Sequence, residues 1–335
     1  MRICSVSLIV CILILHFGKL SAQDDTVTPS FPQGSPILRI FTNLHSGLTD
    51  ADPSKAFELN RAYVGYKYKL DPNFSTELKL DIGNPADISE LDHLRRYAYF
   101  KTAALYWKKN KWTVRTGIID TEHFRRQEKH WKHRYVYQSM QDKHRFGPKA
   151  DLGVTVMFRA ADQIELDASL MNGEGYTNLQ QDNSFKSSFG ISYYPIPKIM
   201  IRIYYDFIDK VEWQSTLSTF ALYQHKNITV GAEYNRKGNS DYNKDYNKTG
   251  LSGYISYDIN EKFEIFGRYD QLSSNQPSGF NEPWNLQEDG SAIIAGIQYQ
   301  PLKYVKIALN YQDWVPYASN LGNMSYIYLN LEVML

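Results

Sequence analysis

The stretch Ile199-Met200-Ile201-Arg202-Ile203-Tyr204-Tyr205-Asp206-Phe207 decides the fold. Ile199, Ile201, Ile203, Tyr205 and Phe207 make one face, against Met200, Arg202, Tyr204 and Asp206 on the other. A period of two with one apolar and one charge-bearing face marks a strand between two different surroundings. The pattern recurs. Phe74, Thr76, Leu78, Leu80 and Ile82 oppose Ser75, Glu77, Lys79 and Asp81, and Val305, Ile307, Leu309 and Tyr311 oppose Lys306, Ala308, Asn310 and Gln312.

Working outward, sixteen strand-like segments are read near 36–45, 56–70, 73–83, 95–108, 111–119, 149–159, 163–171 and 184–195, then 198–208, 214–224, 226–236, 249–259, 261–271, 289–300, 303–313 and 323–335. Most match the roughly 9–11 residues of a tilted membrane strand. Segments 95–108 and 214–224 alternate poorly, and their faces are left unassigned. Short connections such as Lys109-Asn110, Pro195-Ile196-Pro197 and Asn260-Glu261 alternate with long polar ones such as Asn172–Asn183 and Leu272–Glu288. A soluble sandwich has no reason to gather its long loops at one end, whereas an outer-membrane barrel does. The expected fold is all-β, a 16-stranded antiparallel transmembrane β-barrel over residues 36–335. Its short turns and both termini face the periplasm, with Ser240 and Ser278 outside and Asn110 and Glu261 inside. Tyr and Trp near strand ends, among them Tyr68, Trp107, Trp112 and Tyr299, suit interfacial girdles.

Residues 1–22 read as a secretory signal: Arg2, an apolar run from Val6 to Phe17, then Leu20-Ser21-Ala22. Residues 23–35 read as a polar, flexible lead. Both cysteines, Cys4 and Cys11, fall in the signal, so no disulfide is expected after it. The full chain is +1; without Arg2 and Lys19 it is −1. That balance gives no reason to expect a nucleic-acid partner.

One stretch breaks the alternation. Asp120–Lys149 holds eight Lys/Arg against four acids and half of the eight histidines, so the rest of the chain after residue 22 is −5. Glu122–Tyr135 reads as a helix with Asp120 or Thr121 as its cap, an aromatic stripe of Phe124, Trp131 and Tyr135, and a basic face. Folded into a barrel, this loop puts Arg125, Arg126, Lys129, Lys132, Arg134, Lys143 and Arg145 at the narrowest point, as anion contacts. A bland alternative is a solvated surface loop. The lumen parity carries Arg61, Lys79, Arg115, Arg159, Arg202 and Arg268 with many carboxylates, a mixed wall in which cross-strand pairing is the commoner role.

Four segments carry a family resemblance: Phe57-Glu-Leu-Asn-Arg-Ala-Tyr63, Gly147-Pro-Lys-Ala-Asp-Leu-Gly153, Leu170-Met-Asn-Gly-Glu-Gly-Tyr176 and Phe266-Gly-Arg-Tyr-Asp270. With them the chain resembles the phosphate-selective porin O and P family of outer membranes. The resemblance implies a sixteen-stranded trimeric porin whose third external loop, here 120–149, narrows the channel. Family members that select phosphate carry an arginine ladder and a lysine cluster. The arginines here match only the lumen parity.

The reading is therefore a porin, not an enzyme, for passive diffusion of small hydrophilic solutes with weak anion preference, phosphate among the candidates. It should strengthen below about pH 6.5 as histidines charge. Expected partners are outer-membrane lipid, small hydrophilic or anionic solutes, and two further copies in a homotrimer. No cofactor is implied. His130-X-X-His133 has helical metal spacing without a supporting ligand set. Two alternatives stay open, a non-conducting structural or adhesin barrel and an outer-membrane hydrolase around His93, Ser89 and Asp92.

Overall fold

A computed structural model describes residues 31–83 and 97–335. The expected signal, most of the lead, and Ser89, Asp92 and His93 lie outside the described residues. Sixteen strands close on themselves, each antiparallel to its two chain neighbours and the first paired with the last. They are β1 Gln33–Gly47, β2 Lys55–Lys69, β3 Phe74–Gly83 and β4 Tyr97–Lys109. Next come β5 Trp112–Asp120, β6 Ala150–Ala161, β7 Ile164–Met171 and β8 Lys186–Ile196. Then follow β9 Ile199–Asp209, β10 Trp213–His225, β11 Ile228–Gly238 and β12 Lys248–Asp258. Last are β13 Phe263–Ser274, β14 Gly290–Leu302, β15 Val305–Pro316 and β16 Met324–Met334.

The alternation in sequence becomes inside and outside. In β9, Ile201 and Ile203 are 46% and 49% exposed, while Met200 and Arg202 are 3% and 1%. Outward residues are apolar all round the barrel, as a lipid-facing band requires, and inward ones carry the charge. Closure leaves no unpaired sheet edge in hydrocarbon, where each unsatisfied backbone group would cost several kcal/mol.

Three expectations are corrected. β1 begins at Gln33, ahead of residue 36, although Pro36 has no N–H to donate. Pairing with β16 begins only at Arg39, so Pro36 faces β2 alone and leaves no ladder bond broken. The long-and-short rule fails once, at the external connection 210–212, where Asp209 pairs directly with Trp213. Ser240 is fully buried, whereas Ser278 is exposed. The weak alternation of 95–108 and 214–224 has a physical source. A register shift opposite Lys79/Leu80 leaves Lys101 and Thr102 both buried in β4. In β10 the inner face carries Phe220 and Leu222, because a loop covers the wall there.

Candidate pore constriction

That loop is the β5–β6 connection. Its ends are clamped at Thr121, whose N–H donates to the Lys149 carbonyl (3.1 Å) and whose hydroxyl donates to the Pro148 carbonyl (2.8 Å). Helix α1, Glu122–Trp131, follows, built of good helix formers with an acid in its first turn and a lysine in its last. It stops where Lys132 turns left-handed (φ 61°) and its N–H returns to the Glu128 carbonyl. A short α2, Met140–Lys143, precedes the return to β6.

The loop runs across the lumen to the opposite wall. His123 stacks on Tyr204 of β9 at 4.9 Å, and Gln127 donates to Ser218 of β10. Trp131 packs on Tyr254 and Phe266, and the Tyr135 hydroxyl donates to Gln298 of β14. Arg268, Gln312 and Asn330, on β13, β15 and β16, donate to the carbonyls of Gln138, Val136 and Tyr135. Gln141 donates to Glu233 and Asn235 of β11. These buried bonds, each worth about 1 kcal/mol net, fix the loop inside rather than outside.

Only part of the expected aromatic stripe forms. Trp131 and Tyr135 are against the far wall, but Phe124 lies between the cations of Lys101 and Arg134, at 5.0 and 5.2 Å, and borders a cavity of the lumen. The basic residues divide as well. Arg126 does not face the lumen freely: it is buried, donating to Glu122 at 2.9 Å and to Glu165. Arg134 is buried between Glu128 (2.6 Å) and Asp142 (2.5 Å). Arg125 is partly exposed and shares Glu122. Lys129 and Lys132 are exposed, with no carboxylate within 4.0 Å among the described residues. Together with Arg39, Asp120, Glu128 and Lys306 they border a cavity of about 310 Å³. Lys143 and Arg145 are on the loop's other side, in a cavity of about 610 Å³ near the outer rim.

The wall arginines are mostly committed to partners. Arg61 donates to Asp81 (2.7 Å), Arg202 to both oxygens of Asp167 (2.7 and 3.0 Å), Arg268 to Asp270, and Arg115 to Glu122 of α1. Lys79 pairs with Glu77 at 3.1 Å. Arg159 is exposed at the short-turn rim, donating to the Asp162 carbonyl, and does not line the narrow part. No ladder of free arginines forms from these six.

His123, His130 and His144 are not a neutral-pH charge reserve. Burial holds His123 at about 4; burial, then Lys129, Arg126 and Lys132, does the same to His130. Burial drives His144 lower still. For His123 and His130 charging therefore moves from about pH 6.5 toward pH 4, correcting the expected pH response. His130 lies against Phe220, whereas the His133 Nδ1 meets the Trp131 carbonyl and its Nε2 faces Glu264, so the pair does not converge as metal ligands. The cavity beside Lys129 and Lys132 is also bordered by Lys306, which the sequence placed on the inward parity, and by Arg39, which it did not single out. Their strand parity marked them, but nothing local marked their height in the barrel.

No protein-family profile and no curated protein matches this sequence. Solved structures do. The chain is similar to OmpF of Salmonella typhi, solved in complex with daunomycin, at TM-score 0.69 and 11% identity over 90% of this chain and 97% of that one. It is similar to an anion-selective porin from Comamonas acidovorans at 0.67 and 9% identity, covering 91% and 100%. It is also similar to the outer membrane channel DcaP of Acinetobacter baumannii at 0.65 and 9% identity, covering 91% and 97%. The chain has the closed sixteen-stranded fold of outer-membrane porins.

Proposed function

We propose that this chain is an outer-membrane porin, exported by residues 1–22 and working as a homotrimer. It passes small hydrophilic solutes by diffusion with a weak preference for anions, inorganic phosphate included. The observation that carries the reading is the exposed pair Lys129 and Lys132 on an inward helix, beside a cavity whose other cations are largely neutralised. In an open pore the levers are width and charge at the narrowest point. A unit charge acts on an ion about 5 Å away with roughly 3 kcal/mol at an effective dielectric near 20. Salt screens this to a modest preference. Size exclusion comes from the loop's body, held by the far-wall hydrogen bonds. Two of the resemblance's segments support the clamp beneath it: the Gly173 N–H donates to Asp151, and the Tyr176 hydroxyl to Asp81.

The deciding experiment is single-channel recording of refolded protein in planar bilayers. Stepwise ohmic openings at 1 M KCl are expected. A folded, heat-modifiable barrel that gives no steps would favour the non-conducting structural barrel instead.

A further inference from the structure

Among the described residues, the two cavities flanking the inward loop carry surplus charge of opposite sign. On the inner side, Arg39 and Lys306 share the buried Glu332, and Arg134 is held by Glu128 and Asp142. Of the remaining lining charges, Arg125 shares Glu122 and Asp120 is held by Lys101, so the surplus left there among the described residues is carried by Lys129 and Lys132. On the outer side, the cavity is lined by Asp52, Glu58, Glu288 and Asp313. Among the described residues none of these four has a Lys or Arg nitrogen within 4.0 Å; His45, at 3.8 Å from Glu58, is the nearest basic group. Lys143 and Arg145 line the same cavity and offset the four carboxylates only in part.

The loop separates the two zones along the channel axis. Arg39 borders the inner cavity and His45 the outer one, six residues apart on β1. Six residues span about 20 Å of strand, or about 15 Å along the axis at a tilt near 40°. That exceeds the Debye length of about 10 Å at 0.1 M salt, so each zone acts on ions separately.

We propose that the channel rectifies, conducting more when its outer face is positive. Resting on the porin reading, this adds a direction to it. An acidic zone gathers mobile cations and a basic zone gathers mobile anions. With the outer face positive, cations move from the acidic zone toward the loop while anions move from the basic zone toward it. Both carriers accumulate at the narrowest point and conductance rises. With the polarity reversed, both are drawn away from it and conductance falls.

The test is the current–voltage relation of many channels inserted with one orientation. A Ser278→Cys variant supplies the only thiol after residue 22, on an exposed external loop, so a bulky impermeant maleimide added to one chamber identifies the outer side. At 0.1 M KCl the current with the outer side positive should exceed that at the equal opposite voltage by about 1.5-fold or more. At 1 M, where the Debye length is about 3 Å, the ratio should approach 1. The double variant Glu58→Gln/Glu288→Gln should bring the 0.1 M ratio close to 1 while channels still open and the barrel keeps its heat-modifiable mobility. A wild-type ratio of 1 or below at 0.1 M, in channels that still show anion preference, overturns the proposal and leaves the porin reading standing. Absence of any conductance would break the porin reading itself.

Discussion

The barrel wall and the loop inside it use cations in opposite ways. On the wall, Arg61, Arg202 and Arg268 sit within hydrogen-bonding distance of Asp81, Asp167 and Asp270, and each is almost fully buried. On α1 and at its C-cap, Lys129 and Lys132 stand exposed with no carboxylate in reach among the described residues. The geometry explains the contrast. A wall charge facing the lumen has close neighbours along its own strand, as Arg268 has Asp270, and on nearby strands, as Arg61 on β2 has Asp81 on β3 and Arg202 on β9 reaches Asp167 on β7 beside Gly190. A single helix lying across a lumen has neighbours on its docked side and water on the other. Wall arginines are thus tied into the barrel, whereas in the proposed porin the exposed lysines are the cations free to act on solutes.

The largest effect separating the two should come from the wall. Replacing Arg202 by Met strands the buried Asp167 carboxylate, which should cost about 3–5 kcal/mol. The readout is a lower unfolding midpoint in detergent and urea. Ion selectivity in channels that still fold should hardly change.

A smaller effect should follow from acid. The folded loop keeps His123 and His130 neutral down to about pH 4, while unfolded histidine takes up a proton near 6.5. The undocked loop therefore binds more protons across that window, and docking weakens as pH falls from 6.5 toward 4, by up to about 3 kcal/mol for each histidine. Single channels should become noisier and wider over that range. His123→Phe, which keeps the stacking on Tyr204, should remove part of the response. Constant conductance from pH 7 to 4 would show that these rings do not hold the loop.

The smallest effect is a single anchor. Tyr135→Phe deletes the hydroxyl that donates to Gln298, whose amide still donates to Glu264. About 1 kcal/mol of loop docking should be lost, seen as faster hydrogen exchange at Val136 and Tyr137 with an unchanged barrel midpoint.

Much of the architecture was legible because a lipid-facing strand has to alternate, and β9 and β15 do so almost without exception. Legibility failed where the inner face is not wet. Phe220 and Leu222 point inward because the loop lies over them, and a parity rule that assumes a watery lumen cannot anticipate that. It failed again at Lys101 and Thr102, where one extra residue shifts the register. The site was half legible. A helix with a basic face was readable from Glu122, although it ends at Trp131 rather than running on to Tyr135, and so was its entry into the barrel. Which cations stay exposed was not, because pairing of Arg126 with Glu165 and of Arg134 with Asp142 depends on tertiary contacts. The four segments behind the family resemblance include part of the clamp under the loop and the wall pair Arg268–Asp270, features of architecture rather than of solute choice.

The central claim is that Lys129 and Lys132, and not the more numerous wall arginines, set the ion preference. The zero-current potential across a tenfold KCl gradient tests it most directly, comparing the wild type with Lys129→Glu/Lys132→Glu. The wild type should favour chloride by about two- to threefold and the double variant should favour potassium, with little loss of stability because exposed charges contribute at most about 1 kcal/mol. The same potential in both proteins would contradict the account and return the loop to a solvated structural role.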